Sequence, residues 1–286
     1  MRLCFRFVLR LLLLLAPFAA AAGEPVRTDL KARVPGAATV TYLDLARQIV
    51  PDLARAEGAA WRGDTLDEAV ARKLDLDTDW PDGFVIEHVE VIDLASAGPS
   101  RFIVLFDFGI SNGDPAAPAL LALYSAAGSI DTAPRLRDVL NVGFDRDTGF
   151  PRDAMQPLDP QSQLIVVSNG HWNSQQAYGD LTLVLAGPGG LRTIDDVMTF
   201  SETFCGLRRT QEPRISVRKE GSVPMAAIRV DVLLRDEPVR ERCSERTAAR
   251  RDRTITVTYR WNKVSGRYEP DSKALEKLAS ENEKRF

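Results

Sequence analysis

The densest set of side chains that could hold a ligand lies at positions 168–178, in the run Ser-Asn-Gly-His-Trp-Asn-Ser-Gln-Gln-Ala-Tyr. His171, Trp172, Asn173, Gln175, Gln176 and Tyr178 are the candidate ligand-binding residues. Aromatic rings beside side-chain amides suit a sugar. The apolar face of a pyranose stacks on Trp or Tyr, while Asn and Gln donate to and accept from its hydroxyls. The plainer alternative is a long hairpin loop in which Trp172 packs down as a lid and the amides satisfy their own backbone. Apolar segments flank the run, 164–167 before it and 181–185 after it. A glycine turn, Gly187-Pro-Gly-Gly190, then leads into a third strand. This is the clearest hairpin ladder in the chain, and functional groups concentrate on loops held by rigid strands.

Catalytic signatures are sparse. There are 2 histidines. His88 alternates within a strand pattern, and His171 sits in the tip. No H-x-x-x-H, C-x-x-C, G-x-S-x-G or phosphate-cradling glycine loop is present, so neither a zinc centre nor a cofactor is expected. A hydrolase would need a carboxylate pair drawn from Asp107, Asp180, Asp195 or Asp196, with His171 as a possible helper. The run 75–83 begins D-x-D-x-D like a calcium loop, but Trp80 replaces the glycine of the sharp turn and Ile86 replaces the last ligand. It reads as an acidic connection, as does the stretch around Asp145 and Asp153. Positions 235–253 hold seven arginines among five acids. That mixture reads as an internally paired, solvated face.

The first 22 residues read as a secretory signal: Arg2, Arg6 and Arg10, then a leucine run, then small residues suited to cleavage. The apolar run is shorter than the roughly 20 residues a span requires, and no later stretch reads as one. The expected mature protein is periplasmic or secreted. Removing three arginines moves the formal charge of −3 to −6. From 23 to 200 there are 14 Lys/Arg against 26 Asp/Glu, a net of −12. From 201 onward there are 20 against 14, a net of +6. Nucleic acid does not fit this balance in an exported chain. The split suggests two mutually attracting regions or a basic face for an anionic partner. Cys205 and Cys243 remain after cleavage and are expected to pair as a disulfide in an oxidising compartment.

The elements that must position these groups are mostly strands. The period-two pattern begins at Phe84 and runs to position 94, returns at 101–108 and recurs at 119–125, 215–219, 227–234 and 254–261. Before it, helical spacing covers 42–57, capped by Thr41 and interrupted by Pro51, and a second helix follows Asp64 or Thr65. A polar helix closes the chain at 272–284. A faint repeat of strand, glycine turn and strand recurs around Gly128, Gly190 and Gly266. The expected fold is mainly β (α+β): an antiparallel meander of repeated hairpins, propeller-like or sandwich. The expected organisation is 1–22 signal, 23–83 lead-in and helical segment, and 84–286 β domain with a C-terminal helix. The expected function is non-catalytic binding, of a glycan or another envelope component. A secreted hydrolase acting on a cell-wall polymer is the alternative. Docking of the basic C-terminal region on an anionic surface is a third.

Overall fold

The computed structural model describes residues 24–283 apart from 57, 59, 95–99, 109–117, 127–132, 144–146, 173–175, 205 and 240–249; at 80–82, 171 and 204 only the backbone is described. The expected signal segment, Asn173, Gln175, Cys205 and Cys243, together with the expected disulfide, lie outside the described residues. No described helix is long and apolar enough to cross a membrane.

The protein is mainly antiparallel β. One sheet has five strands in the order β1 (Val26–Asp29), β5 (His88–Leu94), β6 (Arg101–Asp107), β7 (Ala119–Ser125) and β8 (Arg135–Asn141). The second sheet runs in chain order through β10 (Met155–Pro157), β11 (Gln163–Trp172), β12 (Gln176–Gly187), β13 (Gly190–Phe204), β14 (Leu207–Arg218), β15 (Ala227–Pro238), β16 (Arg251–Asn262) and β17 (Arg267–Pro270). A short β9 (Asp147–Gly149) also pairs with β11. A small third sheet holds β2 (Ala54–Arg55), β3 (Trp61–Thr65) and β4 (Asp79–Ile86).

The stacking follows from side-chain alternation. In β6, Phe102, Val104 and Phe106 enter the core shared with the N-terminal helical segment. Ile103 and Leu105 enter the opposite core, shared with β11 and β12. Both faces are covered, so the strand reads as one continuous apolar run. The same holds in β11. Ile165 and Val167 face the first sheet, while Leu164 and Val166 face a third core with β15, β16 and the C-terminal helix α3 (Ala274–Glu283). The result is a layered β sandwich whose larger sheet folds over on itself. The fold-over is visible in the pairing: β13 pairs with β14 only over Phe200–Phe204, whereas β14 pairs with β15 along all twelve of its residues. Beyond Phe200 the two strands part.

The helical segment differs in detail from the sequence pattern. α1 (Tyr42–Ala46) starts at Thr41 in a capping box with Asp44 but ends after five residues, and the chain turns through Pro51 instead of kinking. The second helix, α2 (Glu68–Leu74), is capped by Asp67 rather than Asp64 or Thr65. Those two backbone amides donate to the Asp52 carboxylate, which keeps them in β3. The expected strand 84–94 breaks at Glu87, because its halves belong to different sheets. The expected loop at 168–178 is mostly strand, with β11 continuing to Trp172 and β12 starting at Gln176.

Candidate functional site

The hairpin β11–β12 carries the sequence candidates, and its register sorts them. Trp172 pairs with Ala177, Tyr178 with position 171 and Asp180 with Asn169. Because successive side chains alternate, Tyr178, Asp180 and Thr182 share one face and Trp172 belongs to the other. The two directly paired glycines, Gly170 and Gly179, are required by close approach. A Cβ on Gly179 would collide with the Asn169 carbonyl. Trp172 is 72% exposed, so it is not a packed lid. Gln176 and Tyr178 are half-buried.

The face bearing Tyr178 and Asp180 opens into a cavity of about 560 Å3. Its walls come from the end of β8 (Asn141 to Gly143), from Tyr178, Asp180 and Thr182 on β12, from Thr193, Asp196 and Met198 on β13, and from Ala279, Asn282 and Glu283 on α3. Asp180 is the deepest charge, 6% exposed. Burial pushes its carboxyl up to about 6, and neighbouring Asp196 adds to the rise, opposed by hydrogen bonds from Thr182 and Asn169. The Thr182 hydroxyl donates to Asp180 Oδ2 at 3.1 Å. Asn169 is oriented from behind, where Thr148 Oγ1 donates to its Oδ1 at 2.7 Å.

Asp196 pairs with Thr182, and Met198 with Asp180. The two carboxylates are therefore diagonal neighbours on adjacent strands, a relation in which Cα atoms lie roughly 7–8 Å apart. One sits buried, the other exposed at the rim. The helix wall is fixed by Asn282, which donates to Gln211 Oε1 at 3.1 Å and touches Met198 Sδ at 3.4 Å. Gln211 Nε2 in turn donates to the Met198 carbonyl at 2.6 Å. This polar plug closes the gap where β13 and β14 part, and it anchors the last turn of α3 beside the cleft.

The other sequence candidates do not join this cleft. Asp107 accepts from the Thr148 amide, and Asp195 accepts from the Tyr259 hydroxyl on the opposite face. His88 Nδ1 lies 3.0 Å from an Arg27 guanidinium nitrogen, and burial with Arg27 lowers its pKa. In the 75–83 run, the strand begins at Asp79. No group of three or more His, Cys, Asp or Glu among the described residues is placed to hold a metal ion. In the arginine-rich stretch, Arg250 pairs with Asp252 and Arg253 with Glu281. Asn141, Asn282 and Glu283 carried no motif. They reach the cleft only because α3 and the end of β8 pack beside β12 and β13.

No family model matches this chain, and no curated protein and no solved structure matches it either.

Proposed function

We propose that this is an exported, non-catalytic binding protein that takes a hydroxyl-rich ligand, a glycan or a fragment of an envelope polymer, in the Asp180 cleft. One observation carries the reading. A half-buried Tyr178 ring stands beside converging carboxylates, amides and hydroxyls from four elements, with no Lys or Arg among the described lining residues. Ligand sites commonly combine such a concave shape with a few convergent polar groups. Trp172 and Gln176 belong to the same hairpin, and an exposed indole suits a second contact for an extended polymer. The test is a calorimetric and thermal-shift panel of cell-wall sugars on the mature, oxidised protein. A binder at about 100 times its dissociation constant should add about 2.7 kcal/mol of stability. Tyr178→Ala and Asp180→Asn should each abolish that gain. Loss with Trp172→Ala but not with the other two would move the site to the hairpin tip, and no response to any sugar would sink the reading.

A second reading has its own support. Two carboxylates in different environments, one raised to about 6, suit acid–base hydrolysis of a glycosidic bond. Asp180 would protonate the leaving group and Asp196 would act as base or nucleophile. Chromogenic glycosides test it. Turnover should fall about 100- to 10,000-fold in either Asp180→Asn or Asp196→Asn. It should also decline above about pH 6, as Asp180 loses its proton.

A further inference from the structure

A second cavity, of about 520 Å3, lies where the five-stranded sheet meets the β12–β13 turn. Its charged lining is Lys73 from α2, Arg101 from β6, and Arg137 and Asp138 from β8, against the turn from Gly187 to Gly190. Three cations face one carboxylate. That carboxylate is already engaged: Asp138 pairs with Lys73 and accepts the Leu191 amide at 2.7 Å. Arg101 is half-buried and spends two donors on carbonyls, Gly187 O and Gln161 O, each at 2.7 Å. Those bonds fix the turn but leave the guanidinium charge without an anion among the described residues, and burial lowers its pKa. Such charges are normally paired.

Arg137 supplies an independent observation. Leu123 pairs with Asp138 and Tyr124 with Leu136, so Arg137 is the extra residue of a β-bulge. Bulges re-aim side chains and are frequent beside binding sites. Here the bulge sets a guanidinium on the rim of the cavity that Arg101 lines from within.

We propose that this cavity binds the compact oxyanion group of a small molecule, a phosphate ester or a carboxylate, between Arg101 and Arg137, with Lys73 completing the positive rim. Guanidinium forks match both groups bidentately. Arg101, tied to two carbonyls, is pre-organised, and Arg137 is the adjustable partner. This site is separate from the Asp180 cleft and does not depend on the reading given to that cleft.

The test is a titration of the mature protein with inorganic phosphate, pyrophosphate and citrate, followed by backbone amide NMR shifts in low and high salt. Saturable shifts should concentrate at positions 187, 189–191, 101 and 137, and affinity should fall as salt rises. Preference for phosphate and pyrophosphate over citrate would assign a phosphate ester, and the reverse a carboxylate. Arg137→Gln should weaken binding about tenfold or more, with Arg137→Lys recovering part of it, since a charged hydrogen bond is lost and then partly restored. Arg137 is exposed, so the melting temperature should stay near wild type and separate lost binding from lost folding. Arg214→Gln, at an exposed position of β14, should leave binding unchanged. Shifts spread over all surface arginines, no saturation, or indifference to Arg137→Gln would overturn the site.

Discussion

Asp180 shows how a single residue acquires its character. In sequence it is one acid among many. In the fold it is 6% exposed, and its carboxyl rises to about 6. An unfolded aspartate titrates near about 3.9, so the native state holds the proton more tightly. The resulting stabilisation is complete below about pH 4 and is lost as pH rises through about 6. Asp180→Asn should therefore raise stability at pH 7.5 by about 1–2 kcal/mol, after discounting for screening by water in the cleft. The variant should also flatten the pH dependence between about 4 and 6.5. Urea midpoints at pH 4.5 and 7.5 check both. An unchanged pH slope would show that the carboxyl is not perturbed. Gly190 makes a different point at the same scale. Its φ is +99°, and an added Cβ would run into the Asp138 carboxylate. Gly190→Ala should cost about 1–3 kcal/mol, read by denaturant melts, and should also loosen the turn that faces the basic cavity.

At the scale of elements, α3 joins core and cleft. Leu278 is 3% exposed and fills the third core, while Asn282, one turn on and 3% exposed, plugs the split between β13 and β14. Leu278→Ala should cost about 2–4 kcal/mol. Asn282→Ala should do more to ligand binding than to the far side of the sandwich, because it frees one wall of the cleft. Hydrogen exchange checks the second statement: protection should fall first around Met198 and Gln211 and stay near wild type in β6 and β7. Strand positions were legible because period two is a local property. The split strand 84–94 was not, since Ile86 and His88 separate only by the sheets they join. The short α1 was missed for a related reason. Ile49, Val50 and Leu53 keep helical spacing yet are buried through a turn. Helix periodicity records which residues face inward, and a compact turn can satisfy the same constraint.

Across the whole molecule, three apolar cores share strands. β6 and β7 belong to the first and second, and β11 and β12 to the second and third. Layers joined in this way should unfold together, so calorimetric and van't Hoff enthalpies of the protein should agree. Two separated transitions would show that the layers are independent. The uneven charge has a local resolution in the C-terminal region, where Arg209 pairs with Asp236, Arg229 with Asp231 and Arg260 with Glu220. These pairs lie within the C-terminal region and offset part of its charge locally, leaving its net of +6. What the chain determined by itself was class: antiparallel strands from two-residue periodicity, a capped start at Thr41, a helix at the end, and a chemically rich hairpin. These are short-range consequences of backbone geometry and side-chain polarity. Only the tertiary structure decided which hairpin residues look into a cleft, which aspartate is buried, and which distant groups on β8 and α3 complete the walls. Those outcomes depend on strand register and on the layer that each face meets, and neither is encoded in the spacing of nearby residues.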